Sequence, residues 1–187
     1  MAPGFPSVST IERALASRPH PERNGADLEA SVLVCLHAES LLVVRRTAHP
    51  GDKWSGHMGL PGGRHEPQDA DLLATALRET REELGFEPLR HGRLLGSLGS
   101  YEASHRRRGD AAIGVFVAHL DERPPLALSD EIAAAFWVRT SALVPGSAAV
   151  PEYPDRAVPA YLPEADGERL VIWGITFGIL ERLRGLA

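Results

Sequence analysis

Apolar residues are grouped along the chain in short runs that predict buried strands, separated by polar and glycine-containing segments. Four such runs predict strands over residues 30–37, 41–46, 93–101 and 111–120. Residues 132–138 are predicted as a further strand or a mixed segment, and residues 141–143 as a short helical turn. The strands therefore make up much of the first three quarters of the chain.

Helical spacing of apolar residues appears in three places. The spacing predicts helices over 9–17, 69–84 and about 173–183. A capping-box pattern from Ser9 to Glu12 starts the first, and Gly85 ends the second. Residues 47–63 and 145–159 are predicted as long loops, and Ala165-Asp166-Gly167 as a hairpin turn.

Irregular alternation of strands and helices predicts an α/β fold of the α+β kind, with helices layered over a mixed sheet. A chain of 187 residues is long enough for one domain and its extensions. We therefore predict an N-terminal helix and connector over 1–28 and a single domain over 29–187.

Composition narrows the class of protein. The chain is 43% hydrophobic and has a formal net charge of -5, which argues against sequence-independent nucleic-acid binding. Its single cysteine, Cys35, lies in an apolar run and is predicted to be a core residue in a reducing compartment. Neither a secretory signal nor an apolar run of membrane-spanning length is found, so we expect a cytoplasmic protein without membrane partners.

The richest chemistry lies in the Gly62-Gly63 turn and the helix that follows it. On that helix Glu79, Glu82 and Glu83 share one face by three- and four-residue spacing. Crowded carboxylates suit Mg²⁺ or Mn²⁺, and a glycine backbone can approach a phosphate or offer a carbonyl to a metal. The alternative is a solvated face that forms salt bridges with arginines of the same helix.

At this point the sequence resembles the Nudix hydrolase family. The Nudix box, G-x5-E-x7-R-E-U-x-E-E-x-G-U, is matched in its second half by Arg78, Glu79, Glu82, Glu83, Gly85 and Phe86. Arg78 lies fifteen residues after Gly63 instead of fourteen, and Asp69 stands where the first Glu is expected. Thr80 also replaces the usual apolar residue.

The resemblance implies a Nudix fold, an α/β/α sandwich with a mixed sheet, and hydrolysis of a nucleoside diphosphate linked to another group. It implies a metal site formed by Glu79, Glu82, Glu83 and the Gly63 carbonyl. Arg78 would orient a glutamate. Glu82 or Glu83 would accept the proton of the attacking water, and Glu131 is a second candidate for that role. The alternative for Glu131 is a plain surface carboxylate.

The sequence is also similar to coenzyme A pyrophosphatases, whose signature is written LLTxR(S/A)x3Rx3Gx3FPGG. The likeness rests on residues 41–45, Gly56 and residues 60–63, although Asp52 stands in place of the inner Arg. The expected products from coenzyme A are 3′,5′-ADP and 4′-phosphopantetheine. ADP-ribose and nucleoside di- or triphosphates are the alternative substrates, and a non-catalytic nucleotide sensor is the alternative of another class.

Further side chains are candidates for substrate contacts. Arg45, at the end of a predicted strand, can bind a phosphate bidentately, together with the backbone of Gly62 and Gly63. The basic run His105–Arg108 is a hypothetical site for a terminal phosphate, with a solvated loop as its alternative. Trp54 and Trp137 can stack on a purine or serve as core residues. The two terminal helices leave a homodimer possible.

Overall fold

A seven-stranded mixed sheet forms the centre of the molecule. The computed structural model describes residues 4–22, 28–49, 55–102 and 112–187. The strands of the sheet are β1 (Leu28–His37), β2 (Ser40–Arg46), β3 (Met58–Gly59), β4 (Gly62–Arg64), β5 (Gly92–Tyr101), β6 (Ala112–Leu120) and β7 (Ile132–Arg139). Their order is β3-β2-β1-β6-β5, with β4 paired to β1 and β7 paired to β2. Only β1 and β6 are parallel among these pairs, so the predicted mixed sheet is confirmed.

Smaller strands follow in the last quarter of the chain. These are β8 (Pro145–Val150), β9 (Tyr153–Tyr161), β10 (Glu164–Ala165), β11 (Glu168–Arg169) and β12 (Ile172–Trp173). The strands β12, β9 and β8 form a three-stranded sheet, and β10 pairs with β11 around the predicted Asp166-Gly167 turn.

Two predicted loops are wrong because they contain strands. Residues 47–63 include β3 and the first part of β4, and residues 145–159 form β8 and most of β9. The β8–β9 hairpin is mostly exposed and contains prolines, so no apolar alternation marks it in the sequence. Its pairing depends on backbone hydrogen bonds along the two strands.

Three α-helices complete the fold: α1 (Val8–Leu15), α2 (Leu72–Leu84) and α3 (Gly174–Arg184). The N-cap of α1 is Ser7, whose Oγ accepts from the Thr10 N–H at 3.2 Å, so the helix begins before the predicted Ser9 box. The N-cap of α2 is Asp71, which accepts from the Ala74 N–H at 2.7 Å. Gly85 ends α2 at φ +76°, a left-handed conformation that glycine adopts easily.

The helices cover both faces of the sheet. One hydrophobic cluster joins α1 and α3 to strand residues such as Val43 and Phe136. The other joins α2 to Leu42, Val44 and Cys35. This arrangement confirms the α/β/α sandwich. Cys35 is fully buried, and burial raises the pKa of its thiol to about 12.

Among the described residues, no helix has the length and apolar character needed to cross a lipid bilayer.

Candidate functional site

Two glycines bring strand β4 into direct contact with helix α2. Gly62 has φ +149°, and a Cβ there would lie 2.3 Å from the Ser31 carbonyl oxygen, so only glycine fits. Its N–H donates to Glu83 Oε2 at 3.0 Å. A Cβ on Gly63 would lie 2.5 Å from Cδ of Glu79. The Gly62-Gly63 backbone therefore lies against the carboxylates of α2.

The three glutamates of α2 differ strongly in burial. Glu83 is only 4% exposed, whereas the side chains of Glu79 and Glu82 are 18% and 51% exposed. The expectation of one shared face is therefore incomplete, because Glu83 turns toward the sheet while Glu82 faces solvent. The buried side of α2 also includes Thr80, whose hydroxyl donates to the Ala76 carbonyl at 2.7 Å.

Burial and mutual repulsion perturb the inner carboxyl groups. Burial raises the pKa of Glu83 to about 7, and the charges of Glu79 and Glu131 add to this rise. The Gly62 N–H and the Arg46 charge act in the opposite direction. Burial likewise raises the pKa of Glu79. The charge of Arg78 and its hydrogen bond oppose this rise, and repulsion from Glu82 and Glu131 adds to it. Glu79 and Glu83 therefore lie close enough to repel each other, while Arg78 offsets part of the charge of Glu79.

Arg78 is the centre of an ion-pair network on α2. Its Nε and NH2 donate to the two oxygens of Asp69 at 2.9 and 3.0 Å, and NH2 also donates to the Arg64 carbonyl at 2.9 Å. Its NH1 lies 2.9 Å from a Glu82 oxygen and 3.1 Å from a Glu79 oxygen. The sequence left two interpretations open for these glutamates, a metal-binding cluster and a solvated face that forms salt bridges with arginines. Glu82 fits the second, because it is exposed and paired with Arg78, whereas Glu83 is an inner carboxylate that fits the first.

Asp69 is the residue whose role the sequence left open. Besides Arg78, its carboxylate accepts from the Glu66 N–H at 2.9 Å and from the Thr75 hydroxyl at 3.0 Å. These bonds hold the pKa of Asp69 well below its usual range. The sequence signal for the Asp69–Arg78 ion pair is the location of Asp69 at the acidic position of the Nudix box.

Arg45 and Arg46, the last two residues of β2, lie on opposite sides of the sheet. Arg45 stacks over Phe136, at 5.1 Å from the ring centroid, on the side covered by α3. Arg46 follows Leu42 and Val44 on the side covered by α2, where its charge acts on Glu83. Of these two arginines, Arg46 lies on the same side as the inner carboxylate, whereas sequence reasoning chose Arg45.

Glu131 comes from another element, but it lies close enough to the carboxylates of α2 for its charge to act on them. It immediately precedes β7, its side chain is exposed, and its carbonyl accepts from the Thr47 N–H at 2.8 Å. Its charge raises the pKa of both Glu79 and Glu83. The structure therefore brings Glu131 near the inner carboxylates, as it does Gly63.

The carboxylates of the site are oxygen donors of the kind that bind a divalent metal. Within the described parts of the chain, no three His, Cys, Asp or Glu side chains are grouped so that they hold a metal ion as they stand. The chemistry of the set nevertheless fits a hard cation, because Glu79 and Glu83 are oxygen donors whose pKa values are raised by burial and by neighbouring carboxylates.

The remaining sequence candidates are Asp52, Trp54, Trp137 and the run His105–Arg108. Asp52, Trp54 and the run His105–Arg108 fall outside the described residues. Trp137 packs against the α2-side cluster and contacts Arg123, whose guanidinium carbon lies 5.1 Å from the ring centroid. A cavity of about 550 Å³ lies between the connector at Pro19–Glu22 and the first turn of α2, away from the glutamates.

Comparison with known proteins identifies a matching family. The family model described as NUDIX domain matches residues 27–159. The uncharacterized Nudix hydrolase NudL of Yersinia enterocolitica is 37% identical over 98 residues, which are 50% of this chain and 49% of NudL. NudL of Yersinia pestis is 31% identical over 106 residues, which are 57% of this chain and 51% of that protein. The chain therefore spans about half the length of these curated relatives.

A solved structure shows the same fold. The MutT/nudix family protein from Enterococcus faecalis is 18% identical and has a TM-score of 0.54, over 95% of this chain and 68% of that one. The two proteins therefore share the fold although their sequences are only 18% identical.

Proposed function

The chain belongs to the NUDIX domain family, and we propose that it is a metal-dependent pyrophosphohydrolase. The reaction would be cleavage of the diphosphate linkage of a nucleoside diphosphate derivative. The observation that carries the proposal is the contact of Gly62 and Gly63 with Glu83 and Glu79. This contact joins a backbone segment free of side chains to carboxylates whose pKa values are raised by burial.

The metal would be held by Glu79, Glu82, Glu83 and the Gly63 carbonyl, and Mg²⁺ or Mn²⁺ suits these oxygen donors. When bound, a divalent ion neutralises diphosphate charge and lowers the pKa of a coordinated water. Arg78 has the positioning role, since it holds Glu79 and Glu82 from one side while Asp69 fixes its guanidinium.

A proton must leave the attacking water as it adds to phosphorus. Glu82, Glu83 and Glu131 are the candidate acceptors. The placement of Glu131 favours it, because Glu82 is bound to Arg78 and Glu83 to the Gly62 N–H. Glu131 lies near both inner carboxylates and comes from a separate segment.

Coenzyme A is the substrate we propose within this class. The support is the likeness of residues 41–45 and 60–63 to the coenzyme A pyrophosphatase signature. Cleavage of its diphosphate by water gives 3′,5′-ADP and 4′-phosphopantetheine. Gly62 and Gly63 would contact the phosphates next to the carboxylates of α2. Arg45 lies at the end of β2 on the other side of the sheet and would contact a phosphate elsewhere on the substrate, after releasing the carboxylate of Glu168 that it binds.

The test is a product assay by phosphorus NMR on the purified protein with Mg²⁺ or Mn²⁺. Coenzyme A, ADP-ribose and a nucleoside triphosphate are offered separately, with EDTA as the metal-free control. Release of 3′,5′-ADP from coenzyme A with the metal ion, but not with EDTA, supports both the metal-dependent reaction and coenzyme A as the substrate. Turnover of another compound retains the reaction class and refutes coenzyme A, whereas binding of all three without turnover favours a nucleotide sensor.

A further inference from the structure

The guanidinium of Arg45 forms an ion pair with a surface carboxylate, that of Glu168. NH1 and NH2 of Arg45 each lie 3.0 Å from a different oxygen of Glu168. The two side chains are 28% and 49% exposed, so the pair lies at the protein surface. A carboxylate held this way takes the same two N–H groups that two phosphate oxygens would take.

Glu168 is presented by a small hairpin. The strands β10 and β11 contain two residues each, and Ala165 pairs with Glu168. Asp166 and Gly167 form the turn with φ of +52° and +79°. Ala165 packs against the hydrophobic cluster on the α3 side of the sheet, which fixes the hairpin above the end of β2.

Arg45 keeps a second support that does not depend on Glu168. Its guanidinium carbon lies 5.1 Å from the centroid of the Phe136 ring, and this stacking contact orients the planar group. Loss of the carboxylate would therefore leave the two N–H groups directed toward the surface, where an anion can reach them.

We propose that Glu168 is a specificity-determining residue that occupies the anion-binding group of Arg45 until a phosphate of the substrate displaces it. The inference rests on the proposed function, because it takes Arg45 as a substrate contact. Every phosphate that binds Arg45 must compete with an internal carboxylate, so the apparent affinity is reduced by the fraction of molecules in which the pair is closed. Uncharged compounds do not compete with Glu168 for Arg45, so the ion pair does not change their binding affinity.

The test is binding of ADP, with adenosine as the phosphate-free probe, measured by calorimetry in EDTA so that turnover does not contribute. Glu168→Gln removes the charge with little change of shape, and Glu168→Ala also removes the hydrogen bonds. Both variants are expected to bind ADP up to about fivefold more tightly than the parent, which is the upper end of what exposed ion pairs contribute. Adenosine affinity is expected to stay unchanged.

Two further variants separate a local effect from general electrostatics. Glu164→Gln removes an exposed charge from the same hairpin and should leave ADP affinity unchanged. Arg45→Gln should weaken ADP binding and abolish the gain from Glu168→Gln in the double variant. Equal ADP affinity in the parent and in both Glu168 variants would overturn the inference. The same gain in the absence of Arg45, or no detectable ADP binding by Glu168→Gln, would do so as well.

This measurement is independent of the product assay. Failure of hydrolysis with every compound would refute the proposed function, while tighter ADP binding by the Glu168 variants would still support the competition at Arg45. Where the protein is active, the same substitutions should lower KM with kcat unchanged, since the pair is broken before the chemical step.

Discussion

The carboxylate of Asp69 binds the guanidinium of Arg78 through two parallel hydrogen bonds, of 2.9 Å from Nε and 3.0 Å from NH2. This contact ties the loop after β4 to the middle of α2. Since the third nitrogen of Arg78 contacts Glu79 and Glu82, the position of both glutamates depends on a residue outside the helix. Asp69 thus acts on the site through Arg78.

Replacement of Asp69 by Ala is expected to destabilise the protein by about 2 kcal/mol at pH 7. The side chain of Asp69 is 4% exposed, and its loss leaves the buried Arg78 charge with fewer partners. Urea unfolding measures the effect. Glu66→Gln is the control, because Glu66 is half exposed and lies 4.0 Å from Arg78. Equal stability of the two variants would refute a structural role for Asp69.

The same ion pair predicts an acid dependence. The pKa of Asp69 is lowered in the folded protein, so its stabilising contribution is complete above the pKa of the unfolded chain, near 4, and is lost as the pH falls further. The difference in unfolding free energy between parent and Asp69→Ala should therefore be constant from pH 5 to 8 and shrink below pH 4.

Gly63 provides a test of the contact between β4 and α2. A Cβ there would lie 2.5 Å from the Glu79 carboxyl group, so Gly63→Ala must displace that side chain. A misplacement of about 1 Å in a catalytic group costs about 100-fold in rate, and we expect a loss of that order in kcat/KM. Gly59→Ala is the matched control, since its Cβ would meet only Val44 Cγ2 at 3.9 Å. Similar activity in the two variants would contradict the proposed site.

The sheet and the helices were largely predictable because burial leaves a pattern in the sequence. The run from Ser31 to Leu36 reflects packing in both hydrophobic clusters, the spacing of Leu72, Ala76 and Leu84 reflects packing in the cluster under α2, and Gly85 marks the end of α2. The β8–β9 hairpin was missed because its residues are mostly exposed and its pairing uses backbone atoms, which every residue has.

The candidate site was predictable in composition but not in orientation. Helical spacing groups Glu79, Glu82 and Glu83, yet it does not tell that Glu83 is buried against the Gly62 N–H. Alternation in β2 places Arg45 and Arg46 on opposite faces without telling which face α2 covers. The Glu168 contact had no local signal, since it joins residues that are 123 positions apart.

The raised pKa of Glu83 predicts how stability depends on pH in the absence of metal. The folded protein holds the proton of Glu83 up to about pH 7, while the unfolded chain releases it near pH 4.3. Stability from this group is therefore present below pH 4 and is lost as the pH rises toward 7. Glu83→Gln keeps an acceptor for the Gly62 N–H and carries no charge, so it should not show this loss.

Urea unfolding in EDTA at pH 5 and pH 7.5 measures this difference. The stability of Glu83→Gln relative to the parent should rise by up to about 3 kcal/mol between the two pH values. Glu82→Gln, one residue earlier and half exposed, is the control and should show little change. A parallel pH dependence of parent and Glu83→Gln would show that the Glu83 carboxyl is not held in its neutral form.

Glu131 and Glu79 are expected to affect different steps of the reaction. Glu131→Gln removes the favoured proton acceptor and should lower kcat by about 100- to 10,000-fold, with Mn²⁺ affinity unchanged. Glu79→Gln removes a carboxylate that lies against the Gly63 backbone and should weaken Mn²⁺ binding. Electron paramagnetic resonance titration of Mn²⁺ measures the affinity, and a steady-state assay gives kcat.

Glu122→Gln is the matched control for this comparison, because Glu122 is exposed and pairs with His91 and not with any residue of α2 in the described part of the chain. It should leave both kcat and Mn²⁺ affinity unchanged. If Glu131→Gln retains parental kcat, the proton acceptor is Glu82 or Glu83. If Glu131→Gln loses Mn²⁺ affinity together with kcat, Glu131 belongs to the metal site instead.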